Sequence, residues 1–168
     1  MLKPGAKAPD FILPNENGEE VSLSDMLEAG PIVLYFYPAD FTPGCTKEAC
    51  SIRDMHDDIL SVGLRVVGIS PQDGASHQKF KAKHKLPFTL LSDTEKVAIK
   101  MYDVDGPFGV GVRRATYLIT QGAKIQSALQ ADVMISRHAD FIEKAVILRE
   151  TAGMKVSDAE QKYDESDD

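Results

Sequence analysis

Apolar residues along the chain occur either in unbroken runs or three to four positions apart, and the two spacings separate strands from helices. The run Ile32-Val33-Leu34-Tyr35-Phe36-Tyr37 is apolar throughout and rich in β-branched and aromatic side chains, the pattern of a central strand covered on both faces. Leu64-Arg65-Val66-Val67-Gly68-Ile69-Ser70 reads as a second buried strand. Between them Ile52, Met55, Ile59 and Leu60 recur at helical spacing, which predicts one helix from Thr42 to Val62 with Gly63 as its C-terminal stop. Strand, helix and strand in this order imply a right-handed parallel crossover and an α/β sheet.

The flanks add smaller elements. Phe11-Ile12-Leu13 and Glu20-Val21-Ser22-Leu23, joined by the turn Asn15-Glu16-Asn17-Gly18, predict an N-terminal hairpin. Ser24-Asp25 can cap a brief helix that ends before Gly30-Pro31. Residues 74 to 85 form a polar amphipathic helix holding His77 and His84, and Ser92-Asp93 cap another from Thr94 to about Met101. Asp103 to Val112, with three glycines and a proline, is a loop. Ala115 to Ile119 and Lys124 to Leu129 pair across Gln121-Gly122, and a helix from about Ser136 to Glu150 closes a domain of residues 1–152. Residues 153–168 read as a solvated acidic tail, since KVSDAEQKYDESDD has six acids and one aromatic residue.

Composition narrows the partners more than the fold. A length of 168 residues, 43% of them hydrophobic, suits one domain. A net charge of −7 argues against nucleic-acid or anionic-membrane partners, which select a basic face. No apolar run approaches the roughly 20 residues that cross a bilayer, and the N-terminus lacks the apolar core of a secretory signal, so the expected compartment is the cytosol, with a mature organellar form as the alternative. Two cysteines are too few for a disulfide framework and suggest redox chemistry in a reducing compartment.

That chemistry centres on the chain just after the first buried strand. Pro38 ends the ladder, and Thr42-Pro43-Gly44-Cys45 carries the signals of a helix start: a hydroxyl at the N-cap and proline at the first helical position. Cys45 therefore falls in the first turn, where unpaired N–H groups and the macrodipole favour a thiolate. Cysteines so placed have pKa values lowered from about 8.5 to between about 3.5 and 7.5. Three residues after the cap, Cys45 also takes the slot of the second capping-box residue, which brings its sulfur near the Thr42 hydroxyl. A small buried hydrophobe is the alternative for a cysteine considered alone.

Pro38, Thr42 and Cys45 match the peroxiredoxin pattern Pro-x-x-x-Thr-x-x-Cys, and with Cys50 five residues on, the chain resembles the peroxiredoxin Q (bacterioferritin comigratory protein) subfamily from about Leu2 to Thr151. The resemblance implies a thioredoxin fold with an N-terminal β-hairpin extension and a central mixed sheet flanked by helices. It implies a thiol peroxidase acting on hydrogen peroxide and organic hydroperoxides, with Cys45 as the reacting thiolate and Cys50 as the resolving partner. It further implies Pro38 and Gly44 at the substrate, Thr42 and Arg114 as catalytic groups, no cofactor or metal, a thioredoxin-like dithiol reductant, and a monomer or weak dimer.

Arg114 starts the stretch Arg114-Ala115-Thr116-Tyr117-Leu118-Ile119, which matches the family's Arg-x-Thr/Ser-aromatic-Leu-Ile; Arg113 points the other way by strand alternation. A guanidinium there can donate to both sulfur and peroxide oxygen. Residues five apart on an ideal helix lie about 140° round the axis and roughly 8 to 9 Å between Cα atoms. Disulfides need less than about 7 Å, so the implied Cys45–Cys50 bond requires local unwinding. Glu48, one turn after Cys45, either orients an arginine or is a helix-surface charge. His56 is some three turns from Cys45, roughly 16 Å, too far to act as its base. His77, His84 and His138 show no spacing suited to zinc, and the six methionines read as core filler.

Two rival readings stand beside this one. Thioredoxin-like oxidoreductases use Cys-x-x-Cys, whereas four residues separate these cysteines. A redox-sensing partner protein would react once, without ordered turnover. The short Gly-rich loop from Asp103 to Val112 and the turn Thr120-Gln121-Gly122 depart from the family's commoner forms.

Overall fold

Five strands form the central sheet of the computed structural model, which describes the backbone of residues 1–164 and the side chains of residues 1–153. In chain order the elements are β1 (Ile12–Pro14), β2 (Glu20–Ser22), α1 (Leu23–Glu28), β3 (Ile32–Phe36), α2 (Pro43–Asp54), α3 (His56–Ser61) and β4 (Arg65–Ser70), followed by α4 (Gly74–His84), β5 (Thr89–Ser92), α5 (Val97–Met101), β6 (Ala115–Ile119), β7 (Ile125–Gln130) and α6 (Ser136–Asp164). The sheet order is β5-β4-β3-β6-β7, and β1 and β2 make the separate N-terminal hairpin. Strands β3, β4 and β5 run parallel, while β6 is antiparallel to β3 and β7 to β6. This is the mixed sheet flanked by helices that the sequence suggests.

Alternation along β3 divides the core in two. Ile32, Leu34 and Phe36 face one layer, with the hairpin, α1 and α5, whereas Val33, Tyr35 and Tyr37 face another built with α2, α3, α4 and α6. Every residue of β3 is buried, as its unbroken apolar run requires. Cys45, Ala49 and Ile52 enter the second layer from α2, and Ile142, Ala145 and Val146 enter it from α6.

The pairing of β3 with β6 positions the site. Phe36, at the end of β3, lies opposite Ala115, at the start of β6, so the chain leaving β3 toward Cys45 and the residue just before β6, Arg114, share one edge of the sheet. Parallel β4 and β5 end at the same edge, with Ser70 opposite Ser92.

Several local expectations are corrected. The helix from Thr42 to Val62 is two helices broken at Met55, whose N–H turns to the Arg53 and Ile52 carbonyls. Asp57 and Asp58 fill the first turn of α3, where a new helix N-terminus favours negative charge. Beyond the break the register drifts, so Ile59 stays buried but Leu60 is 48% exposed. Thr89–Ser92, which includes the expected cap residue Ser92, is a paired strand. The N-cap of α5 is Lys96 rather than Ser92 or Asp93, and the helix starts at Val97 rather than Thr94; the Asp93 carboxylate still accepts from the N–H groups of Val97 at 2.7 Å and Ile99 at 2.8 Å. Ser22 caps α1 in place of Ser24. Helix α6 continues past Glu150 to Asp164; the side chains of the expected tail, and residues 165–168, lie outside the described residues.

Gly68 gives the β3 face room for a large ring. A Cβ there would lie 2.8 Å from Tyr35 Cζ and 2.9 Å from Leu90 Cδ2, both buried. Gly68→Ala is expected to destabilise the fold by about 1–3 kcal/mol through overpacking. A urea midpoint equal to that of the unsubstituted protein would show that Tyr35 and Leu90 yield.

Candidate active site

Thr42 is the N-cap of α2 with extended backbone, Pro43 follows inside the helix, and Cys45 sits buried in the first turn, as the sequence signals require. The capping bond itself is not formed. The Thr42 hydroxyl turns back and donates to the Ala39 carbonyl at 2.9 Å, which satisfies the loop and leaves the first-turn N–H groups uncapped by it. Those donors remain available to negative charge at the helix start.

Arg114 closes the site from the sheet. Its N–H donates to Asp132 Oδ1 at 2.8 Å and its carbonyl accepts from Ala131, so the backbone is fixed between β6 and the chain after β7. The residue is 5% exposed, and its side chain donates from Nη2 to Cys45 Sγ at 3.3 Å and from Nη1 to Glu48 Oε1 at 3.4 Å. Arg113, by contrast, is half-buried, and its N–H is given to the Val104 carbonyl. Gly44 explains how the helix comes so near: a Cβ there would fall 2.6 Å from Ile135 Cδ1 and 3.2 Å from Arg114 Nη2. Pro38 lies half-buried ahead of Thr42, its carbonyl accepting from Gln72 Nε2 at 3.3 Å.

Of the two readings of Glu48, the structure takes the first: it is a buried partner of the arginine. Burial pushes its pKa up to about 7, against the opposing charge and hydrogen bond of Arg114. Its Oε2 has no hydrogen-bond partner and lies 3.8 Å from His138 Nδ1. Burial lowers the pKa of His138, and the neutral ring fits its surroundings: Nε2–H donates to the Ala131 carbonyl at 2.8 Å, and Nδ1 accepts from the Thr116 hydroxyl at 2.7 Å.

Cys50 is half-buried five residues on in the same unbroken helix, and both thiols are free. His56 begins α3 beside Phe88, away from the sulfur. Among the described residues no group of three His, Cys, Asp or Glu side chains is gathered to hold a metal ion.

A sulfur in a helix first turn with a buried guanidinium against it is an arrangement for reacting with an anionic or oxygen-rich partner. A family model described as AhpC/TSA matches residues 4–128. The chain is a peroxiredoxin of the AhpC/TSA family. This peroxiredoxin is 43% identical over 143 residues to the putative peroxiredoxin bcp of Coxiella burnetii, covering 82% of the chain and 93% of that relative. It is 46% identical over 123 residues to the chloroplastic peroxiredoxin Q of Oryza sativa subsp. japonica, covering 73% of the chain but only 56% of the length of the rice protein. Its fold matches the crystal structure of peroxidoxin BcpB from Mycobacterium tuberculosis with a TM-score of 0.82 at 34% identity, covering 88% and 98% of the two chains. These likenesses put the peroxiredoxin in the Q/Bcp group.

Sequence reasoning missed His138, and it missed Asp40, in the loop before α2, with its partner His77 on α4. Each is a lone polar residue whose partners come from distant elements; only the charge of Asp40 between Pro38 and Thr42 offered a signal.

The raised pKa of Glu48 makes a stability prediction. Between pH 4.5 and about 7 the folded chain holds a proton that the unfolded chain, with an ordinary glutamate, has released. Stability should therefore fall as pH rises through that window. Urea midpoints of the unsubstituted protein should drop relative to Glu48→Gln from pH 4.5 to 7 and run parallel above it. A constant difference would mean that the buried carboxyl is ionised throughout.

Proposed function

We propose that this peroxiredoxin is a thiol-dependent peroxidase that reduces hydrogen peroxide and organic hydroperoxides at Cys45, resolves the product with Cys50 and is recycled by a thioredoxin-like dithiol protein. The observation that carries the reading is the 3.3 Å contact from Arg114 Nη2 to Cys45 Sγ at a helix N-terminus. Nη2 has two hydrogens, and one bond to sulfur leaves the other for a peroxide oxygen beside it.

The Cys45 thiolate forms a bond to one peroxide oxygen as the O–O bond breaks. The other oxygen leaves as hydroxide or alkoxide and takes up a proton; sulfur is oxidised to sulfenic acid and the peroxide is reduced to water or alcohol. Arg114 and the uncapped first-turn N–H groups oppose the negative charge shifting from sulfur to oxygen. The Cys50 thiol gives up its proton and its sulfur attacks the Cys45 sulfur, forming the S–S bond as the S–O bond breaks; the sulfenic hydroxyl leaves with one proton as water. A reductant dithiol exchanges with the resulting disulfide, leaving oxidised and restoring both thiols.

Resolution needs motion, since the intact helix holds the two cysteines beyond bonding reach. We infer that the first turns of α2 unwind after oxidation. Pro38 and Gly44 border the peroxide, and Thr42 orients the loop around it. We assign the working form to a monomer or weak dimer, with neither nucleic acid nor membrane as partner, in a reducing compartment such as the cytosol, where dithiol reductants are kept reduced. Among the described residues no helix is long and apolar enough to cross a membrane.

Cys45→Ser should abolish peroxide consumption with a thioredoxin-type reductant. Arg114→Ala should slow Cys45 oxidation about a hundredfold, and Arg113→Ala should change it little; the reverse ranking would remove Arg114 from the reaction. Cys50→Ser should still give a trappable sulfenic acid on Cys45 but lose recycling by the dithiol protein. Near-normal turnover of Cys45→Ser would end the peroxidase reading.

A further inference from the structure

Outside the group around Cys45, a second buried polar cluster is centred on Asp40. Its carboxylate accepts from the Tyr37 hydroxyl at 2.6 Å and the Ser76 hydroxyl at 2.8 Å, and its Oδ2 lies 2.7 Å from His77 Nδ1. The other ring nitrogen of His77 faces the Leu91 carbonyl at 3.1 Å, so both ring nitrogens have a partner inside the fold. Burial raises the Asp40 pKa, but the bonds from His77 and Tyr37 outweigh it and hold the group below the usual carboxylate value. Both side chains are fully buried.

The cluster holds the five residues through which strand becomes helix. The Pro38 carbonyl and the Asp40 N–H both bond Gln72, the latter at 3.0 Å, and the Ala39 carbonyl bonds Thr42. Phe41 has a φ of 64°, a left-handed backbone that is uncommon for a bulky residue, and the residue is 45% exposed. The ring leans on Phe80 at 5.3 Å between centroids and lies under Lys83. So strained a loop persists only where its neighbours determine it, and most of those neighbours belong to α4 or to the chain just before it.

Helix α4 also reaches the far side of the reactive segment. Arg53, in the last turn of α2, donates from Nη1 to the His84 carbonyl at 2.7 Å. One helix therefore grips the chain before Cys45 and again after Cys50.

We propose that Asp40 and His77 are positioning residues: their buried pair fixes the approach of Cys45 to Arg114 and stops the unwinding of α2 from spreading back toward β3. The proposal rests on the peroxidase reading for its redox half. A buried pair of this kind adds little net stability but is costly to break from one side, which suits a device that sets geometry.

The test uses His77→Gln and, as a milder change that removes the hydroxyl making the 2.6 Å bond, Tyr37→Phe. Single-turnover mass spectrometry follows Cys45 oxidation by hydrogen peroxide and closure of the Cys45–Cys50 bond, and amide exchange follows residues 39 to 42 in both redox states. Misplacing a reactive group by about 1 Å can cost a hundredfold, so oxidation should slow by about tenfold or more while closure is unchanged or faster. A general loss of stability would not separate the two steps in this way. Residues 39 to 42 should stay protected on oxidation of the unsubstituted protein and lose protection in the variants. Oxidation within about twofold in every variant that folds, or protection already lost in the unsubstituted protein, overturns the proposal. Should unsubstituted Cys45 not react with peroxide, the peroxidase reading fails instead. The positioning role is then decided by the rate of Cys45 alkylation with iodoacetamide and by exchange in the reduced state, and unchanged values in the variants overturn it.

Discussion

Arg114 is a permanent charge almost wholly withdrawn from water, and such a charge is tolerable only where anionic or strongly polar groups face it. Two side chains do so, the Cys45 sulfur and the Glu48 carboxyl, both contributed by α2 and both buried. Burial disfavours the charged carboxylate, and it pushes the Glu48 pKa up to about 7 despite the arginine beside it. With Glu48 protonated, the field of the guanidinium falls mainly on sulfur. The carboxyl thus holds the arginine in place while competing only weakly for its charge.

That arrangement depends on the hand and direction of the sheet. Because β6 runs against β3, its first residue lies beside the last residue of β3, and Arg114 meets the helix that follows β3 without any long connection. Parallel β4 and β5 bring their own ends to the same edge, so Ser70, Gln72 and Asp93 gather there, with α4 behind them. The site is therefore built at strand ends, where backbone directions leave loops and helix starts facing one another.

How much of this was readable in the sequence follows the range of the interactions. The buried strands, the hairpin, the N-cap position of Thr42 and the first-turn place of Cys45 rest on patterns a few residues long, and the structure agrees with them. Arg114 was separated from Arg113 by strand alternation, which is also local. The break at Met55 was not legible: apolar spacing continues across it, no proline or glycine marks it, and the helices on both sides of it pack into the same core layer. His138 and His77 were passed over because sequence spacing finds residues that share an element, whereas these meet Glu48 and Asp40 across 90 and 37 positions of chain. The exposed turn at Thr42 likewise hid a tertiary choice, since its hydroxyl serves the loop rather than the helix.

The break at Met55 bears on the proposed cycle more than its size suggests. A continuous helix to Val62 would couple unwinding at Cys45 to Ile59, a fully buried core residue, and opening the active-site turns would disturb the layer under the sheet. With α2 ending at Asp54, the segment holding both cysteines is a separate unit of 12 residues whose first turn contains Pro43 and Gly44, and glycine favours the helix weakly. Its inward side chains, Cys45, Glu48, Ala49 and Ile52, include just one large aliphatic anchor, and that anchor lies beyond Cys50. Short length, a weak start and an anchor placed late make the opening free energy of this unit smaller than that of the fold, the condition for local rather than global unfolding. The same features would leave the thiol poorly positioned if nothing outside the helix held its start, and we assign that task to the buried side chains at either side of it, Arg114 from the sheet and His77 from α4.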